Sequence, residues 1–168
     1  MQNRTEPVQS GSGPAQAAEA CWQDLAGRLL CGEFLERGLD PANAFSGELF
    51  AFFRKNPESA LTLRDAAAAA RRSPDYYGRV CRRKTGFHYH ELAALARMAS
   101  ARAMLLQTDE TVTAISARLH YSSADYFSRV FRQHTGMTPG QYRRIARQNP
   151  DLSAPWNIQP ASDGASGT

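Results

Sequence analysis

The sequence predicts an all-α fold, with two helix-turn-helix subdomains joined by a long linker helix. Three observations carry this. Apolar residues return every three or four positions in several segments, and nothing alternates convincingly at period two. The stretch DYYGRVCRRKTG, Asp75 to Gly86, is nearly rewritten as DYFSRVFRQHTG, Asp125 to Gly136. Between the two copies runs HYHELAALARMASARAMLLQT, which neither Pro nor Gly interrupts.

The elements follow in chain order. Residues 1–16, MQNRTEPVQSGSGPAQ, lack periodicity and are expected to be disordered. From Ala17 to Gly38, Trp22, Leu25, Leu29 and Phe34 recur near helical spacing, so a helix is expected there. GLDPANAFSG breaks it with Gly38, Pro41 and Gly47. ELFAFFRKNP reads as a second short helix, ended by Asn56-Pro57. These segments define a helical extension, residues 17–47, ahead of a basic domain, residues 48–147.

The basic domain contains the repeat. Leu63, Ala66, Ala67 and Ala70 form one apolar face of a short helix, and Val112, Ile115, Ser116 and Leu119 repeat it. Ser73 then Pro74 marks a helix start, with serine as N-cap and proline in the first turn; Ser123 repeats the cap. Gly86 and Gly136 suit C-terminal caps. Eight of the fourteen positions from Ser73 to Gly86 are identical fifty residues on. Two short helices joined by a tight turn, the second basic, make a helix-turn-helix unit. The units are expected at about 62–84 and 112–133. Leu92, Leu95, Met98, Ala101 and Leu105 place one linker helix at about 89–107, roughly 30 Å long. Such a spacer suits a separation near one turn of duplex DNA, about 34 Å. The tail from 148 to 168 is rich in Pro, Ser and Gly and is expected to be disordered.

Charge is unevenly spread. From Leu61 to Arg147 there are 15 Lys/Arg against 6 Asp/Glu, a balance of +9, while residues 1–60 carry 5 against 8, or −3. A basic segment with acidic flanks points to a polyanion partner, or to a solvated helical surface rich in Arg. No apolar run is long enough for a membrane span, and no secretory signal is visible. Cys21, Cys31 and Cys81 lack paired metal-type spacing and read as reduced thiols of a cytoplasmic protein, with Cys21 and Cys31 expected buried. His88 and His90, two apart, are poor metal ligands together, so no metal and no cofactor is expected. No nucleophile–base constellation or Gly-rich phosphate loop appears, and an enzyme is not expected.

From about Glu48 to Arg147 the sequence resembles the AraC/XylS-type DNA-binding domain of bacterial transcription regulators. The matching motifs are LTLRDAAAAA, SPDYYGRV, RKTGFHYHEL, the linker helix and, above all, VTAISARLHYSSADYFSRVFRQHTGMTPGQYR. The resemblance implies a sequence-specific regulator with two reading heads, with double-stranded DNA and RNA polymerase as partners and a bacterial, nucleoid-associated setting. A homodimer through residues 17–55 is a further expectation, their stripe packing on the domain or on a second subunit. The alternative is a truncated regulator whose N-terminal helices pair with another chain and modulate it. Most members of the family carry a large β-rich sensor domain ahead of this region, which sixty residues cannot build. The chain is therefore expected to resemble small stand-alone members, or a fragment of a longer regulator. Some DNA-repair methyltransferases share such a half, but they need a cysteine-rich metal site that Cys21 and Cys31 cannot supply. The family usually places Gly in each turn, where φ is positive; here those positions are Arg71 and His120. Arg72 and Cys81 stand where the family prefers apolar side chains, which predicts a less well packed first unit.

Transferred residue by residue, the resemblance marks Asp75, Gly78 and Arg79 in the first unit and Ala124, Asp125, Ser128 and Arg129 in the second as base-facing. Arg79 and Arg129 can take guanine bidentately or neutralise phosphate, or simply pair with a surface carboxylate. Asp75 and Asp125 can accept from cytosine N4, or favour the helix N-terminus, the preferred role. Of the aromatic pairs Tyr76/Tyr77 and Tyr126/Phe127, most are expected in the core, with one Tyr hydroxyl per unit, Tyr76 in the first, reaching phosphate. Arg82, Arg83, Lys84 and Arg132 would neutralise phosphate or be solvated.

Overall fold

The computed structural model describes residues 14–148, with side chains from Cys21 onward. The disorder expected for 1–13 and for 149–168 lies outside the described residues. Eight α-helices and no strand occur among them: α1 Pro14–Glu36, α2 Ala44–Lys55, α3 Leu63–Ala69, α4 Pro74–Thr85, α5 Tyr89–Gln107, α6 Val112–Arg118, α7 Ala124–Thr135 and α8 Pro139–Gln148. The linker helix α5 has the bounds that the sequence predicts. Residues 14–16, expected to be disordered, are the first turn of α1. α8 is an element that the sequence reading did not separate from the second unit.

α1 lies along α5, and the stripe predicted from spacing makes the contact. Trp22, Leu25, Leu29 and Phe34 are buried, as are Leu92, Leu95, Met98, Ala101 and Leu105 on α5. One hydrophobic cluster runs from Trp22 to Tyr142, so the extension shares a core with both units. The boundary expected between residues 47 and 48 falls inside α2. Asn43 starts that helix early: its side chain accepts from the Phe45 N–H at 3.2 Å, and the Gly47 N–H bonds the Asn43 carbonyl at 2.6 Å. Gly47 is no breaker here. A Cβ on it would stand 2.4 Å from the Pro41 carbonyl oxygen, so glycine permits the close approach of the preceding loop.

Aromatic rings tie α1 and α2 to the first unit. Phe34 meets Phe50 and Phe53 at 5.8 and 6.3 Å, and Phe53 meets Tyr89 at 5.9 Å. Tyr77 of α4 sits 6.4 Å from Tyr89 and 5.7 Å from Phe45. In the second unit the stack is internal, with Phe127 to Phe131 at 5.7 Å and Phe131 to Tyr142 at 5.4 Å. Cys81, at the place of Phe131, is fully buried, and in the same unit Tyr77 packs on Tyr89 and Phe45, with Phe53 on Tyr89. The smaller side chain is thus accompanied by a helix, α2, that brings its own rings.

Several arginines serve architecture. Glu33 of α1 accepts from Arg102 of α5 at 3.0 Å and from Arg37 at 2.7 Å, while Arg102 Nε donates to Tyr142 Oη at 3.2 Å. Arg118 pairs with Glu58 and Glu110 and lies 5.4 Å from the Trp22 ring centre. Arg143 donates to the Leu105 carbonyl at 3.2 Å, and Arg147 pairs with Asp109. The thiols differ from expectation: Cys21 is exposed and Cys31 partly so, and only Cys81 is buried. Cys21 is i−4 to the buried Leu25, and its Sγ donates to Gln107 Oε1 at the end of α5 at 3.4 Å, at the exposed margin of the α1–α5 contact.

Candidate nucleic-acid interface

The two units use the same local devices. Thr62 caps α3 by accepting from the Asp65 N–H at 3.2 Å, and Thr111 caps α6 by accepting from the Ala114 N–H at 3.1 Å. Each turn then passes through the left-handed region at the residues flagged by the sequence, Arg71 with φ 53° and His120 with φ 59°. Buried Leu61 does so as well, with φ 51°, which the sequence did not signal. The second turn is one residue longer, since α3 and α6 start 49 residues apart and α4 and α7 start 50 apart.

The second helices are set next. Pro74 opens α4 behind Ser73, whose side chain makes no capping bond; Ser123 does cap, accepting from the Tyr126 N–H at 3.1 Å. Gly86 and Gly136 close the helices with φ 79° and 78°. Thr85 and Thr135 donate back to the Cys81 and Phe131 carbonyls at 2.7 and 2.9 Å. Each also accepts from the N–H after the glycine, of Phe87 at 3.1 Å and of Met137 at 3.4 Å. The repeated Thr-Gly pair is thus a helix-ending device.

These constraints fix which side chains face out. Tyr77 and Phe127 are buried; Tyr76 and Tyr126 are 44% and 45% exposed. Asp75, Arg79, Arg82 and Arg83 on α4 and Asp125, Arg129 and Arg132 on α7 are exposed. Gly78, Ala124 and Ser128 are half-buried, at the edge of that face. Gly78 lies low because α3 packs under it: a Cβ there would touch Leu63 Cδ2 at 3.4 Å. Ser128, Arg129 and Arg132 line one open groove together with Gln133, Gly136 and Thr138. Gln133 and Thr138 were missed by the sequence reading. The signal was available in TPGQ, since Thr138 and Gln141 exchange bonds at the start of α8, at 3.0 and 3.3 Å.

The electrostatics separate two groups of cations. Arg79 and Arg129 have no carboxylate partner among the described residues; Arg129 stands 5.4 Å from the centre of the Tyr126 ring. Arg72 is exposed and stands 5.6 Å from the Tyr76 ring. Arg82 spends one N–H on the Gly86 carbonyl. By contrast Arg37, Arg102, Arg118 and Arg147 are all held by carboxylates. Burial, with Glu48 nearby, pushes the Tyr77 hydroxyl up to about 12, so it stays protonated and apolar in character. His88 and His90 stack at 5.6 Å, and no group of three or more metal-ligating side chains occurs among the described residues. No described helix is long and apolar enough to cross a membrane.

Comparison with known proteins agrees with this geometry. A helix-turn-helix domain family matches residues 66–145. The regulatory protein PocR of Salmonella typhimurium is 28% identical over 113 residues, 67% of this chain and 37% of PocR. The melibiose operon regulatory protein of Escherichia coli K12 is 25% identical over 107 residues, 64% of this chain and 35% of that protein. The chain thus spans little more than a third of the length of these relatives. The crystal structure of a transcriptional regulator with an AraC-type DNA-binding domain, from Chromobacterium violaceum, superposes with a TM-score of 0.53 at 28% identity, covering 64% of this chain and 99% of that one. With two capped helix-turn-helix units on one linker helix, the chain carries the AraC-type helix-turn-helix domain found in AraC/XylS-family transcription regulators.

Proposed function

We propose that the chain binds double-stranded DNA sequence-selectively, with α4 and α7 entering adjacent major grooves, and regulates transcription through RNA polymerase. One observation supports this most. None of the six exposed Lys/Arg side chains of α4 and α7 meets a carboxylate among the described residues, whereas Arg37, Arg102, Arg118 and Arg147 are each held by one. A cluster of exposed cations that no acid pairs suits a polyanion partner.

In this reading Arg79 and Arg129 reach base edges or phosphate, and Arg82, Arg83, Lys84 and Arg132 grip the backbone. Tyr76 and Tyr126 offer one exposed hydroxyl per unit. Asp75 and Asp125, in the first turns, favour the helix N-termini. Ser128 can hydrogen-bond and Ala124 can meet a thymine methyl, whereas Gly78 has no reach. The second unit is therefore assigned the larger part of sequence discrimination. Selection of sites from a random duplex library tests the proposal. A bipartite motif with half-sites about 10 base pairs apart is expected; recovery of no enriched motif would remove it. The reading as a modulator of another chain has less support, because the Trp22–Phe34 stripe is already buried against α5.

A further inference from the structure

Among the described residues, three buried side-chain polar atoms lack a hydrogen-bond partner: Trp22 Nε1, Tyr89 Oη and Arg97 Nε. Tyr89 and Arg97, which carry two of the three, are among the residues that line one cleft. It has a volume of about 370 Å³ and lies where the start of α5 meets the first helix-turn-helix unit. Its walls include Leu61, Leu63, Ala93 and Gly78, and His88 and His90 also border it. Tyr89 is only 5% exposed, so its side chain belongs to the cleft's protein wall and not to the open surface.

We propose that this cleft is a binding site for a small organic anion, whose carboxylate or phosphate oxygens meet Arg97 and Tyr89 and whose apolar body rests on Leu61, Leu63 and Ala93. The physical reason is the pairing of unmet donors with apolar walls. A buried donor left without a partner carries its desolvation penalty uncompensated. An oxyanion satisfies both a guanidinium N–H and a phenol O–H, and charge-assisted bonds of this kind are the stronger ones. The volume falls in the range of small-molecule sites, about 300–1,000 Å³. Burial also raises the Tyr89 pKa, so the phenol remains a donor. The phosphate of a rigid duplex is a poor fit for a hydroxyl as enclosed as that of Tyr89. The site does not depend on the DNA-binding reading.

Arg97 also connects the cleft to the second unit. Its guanidinium lies 5.6 Å from the Tyr121 ring centre. Tyr121 packs on Phe127 at 5.1 Å and on Tyr126 at 6.0 Å. Occupancy is therefore expected to be felt at both heads.

The test uses the full chain, labelled with ¹⁵N and titrated with hexanoate and with butyl phosphate, with hexanol as a neutral control. At least one anion should give saturable shifts at Leu61, Gly78 and Tyr89, with a smaller set at Tyr121, and hexanol should not. Arg97→Gln should weaken that binding about tenfold, with Arg97→Lys recovering part of it, and Tyr89→Phe should weaken it about threefold. Urea melts of each variant separate lost binding from lost folding. Absence of saturable shifts with both anions would overturn the proposal, as would equal binding of hexanol or unchanged affinity in folded Arg97→Gln. A duplex that displaces the anion, together with an Arg97→Gln variant that loses DNA affinity, would reassign the cleft to a DNA phosphate and also overturn it.

Discussion

Salt dependence measures how many phosphates the two recognition helices neutralise. Six Lys/Arg side chains stand exposed on them: Arg79, Arg82, Arg83, Lys84, Arg129 and Arg132. Counterion release gives a slope of log K against log salt near −0.9 per phosphate contact, so about −5 for this set. Between 50 and 200 mM salt, affinity should then fall about a thousandfold. Fluorescence anisotropy of a labelled duplex of about 30 base pairs, read at five salt concentrations, measures the slope. Arg132→Gln should make it shallower by about 1. Arg147→Gln should leave it unchanged, because Arg147 is held by Asp109. A slope near zero would refute the DNA-binding reading. An equal change in both variants would refute the sorting of cations into free and architectural sets.

The remaining predictions concern the heads, the turns, the extension and the thiols. Arg129→Ala should cost about 1–3 kcal/mol on a selected site and relax preference at one or two base pairs. Arg79→Ala should weaken all sequences more evenly, and the opposite pattern would reverse the assignment of the two units. Arg71→Gly should raise stability by about 0.5–1 kcal/mol in urea melts, since a non-glycine residue in the left-handed region is strained. His120→Gly should gain nothing, because the imidazole bonds the Glu58 carbonyl at 2.8 Å and that bond would be lost. Trp22→Ala should cost about 3–5 kcal/mol by the same assay, since Trp22 is fully buried between α1 and its neighbours. A loss under 1 kcal/mol would show that α1 is not part of the core. A disulfide reagent should label Cys21 first and Cys31 more slowly. Cys81 should react only at the unfolding rate, because it is buried and burial pushes its thiol up.

The sequence by itself determined the elements that are written locally. Period-three and period-four spacing sets α5 and the buried stripe of α1, and the repeat from Ser73 to Gly86 sets the two recognition helices. Arg71 and His120 were legible as the strained turn positions through the family resemblance, which usually places Gly there, and both have positive φ. What only the tertiary structure decided depends on residues distant in the chain. Gly47 read as a breaker, but it lies inside α2, where the Pro41 carbonyl leaves no room for a Cβ. Nothing in the spacing around Cys81 signals that α2 brings Phe45 onto Tyr77 and Phe53 onto Tyr89 in the first unit. The spacing left open whether the stripe of α1 packs on the domain or on a second subunit; it lies on the linker helix, with Glu33 bonded to Arg102 of α5. Nor does spacing tell which arginines hold the fold and which remain for a partner. Arg102, Arg118 and Arg147 meet carboxylates up to 69 residues away, and Arg79 and Arg129 meet none among the described residues. Charge is a property of the residue, but its availability is set by which acid the folded chain brings within reach.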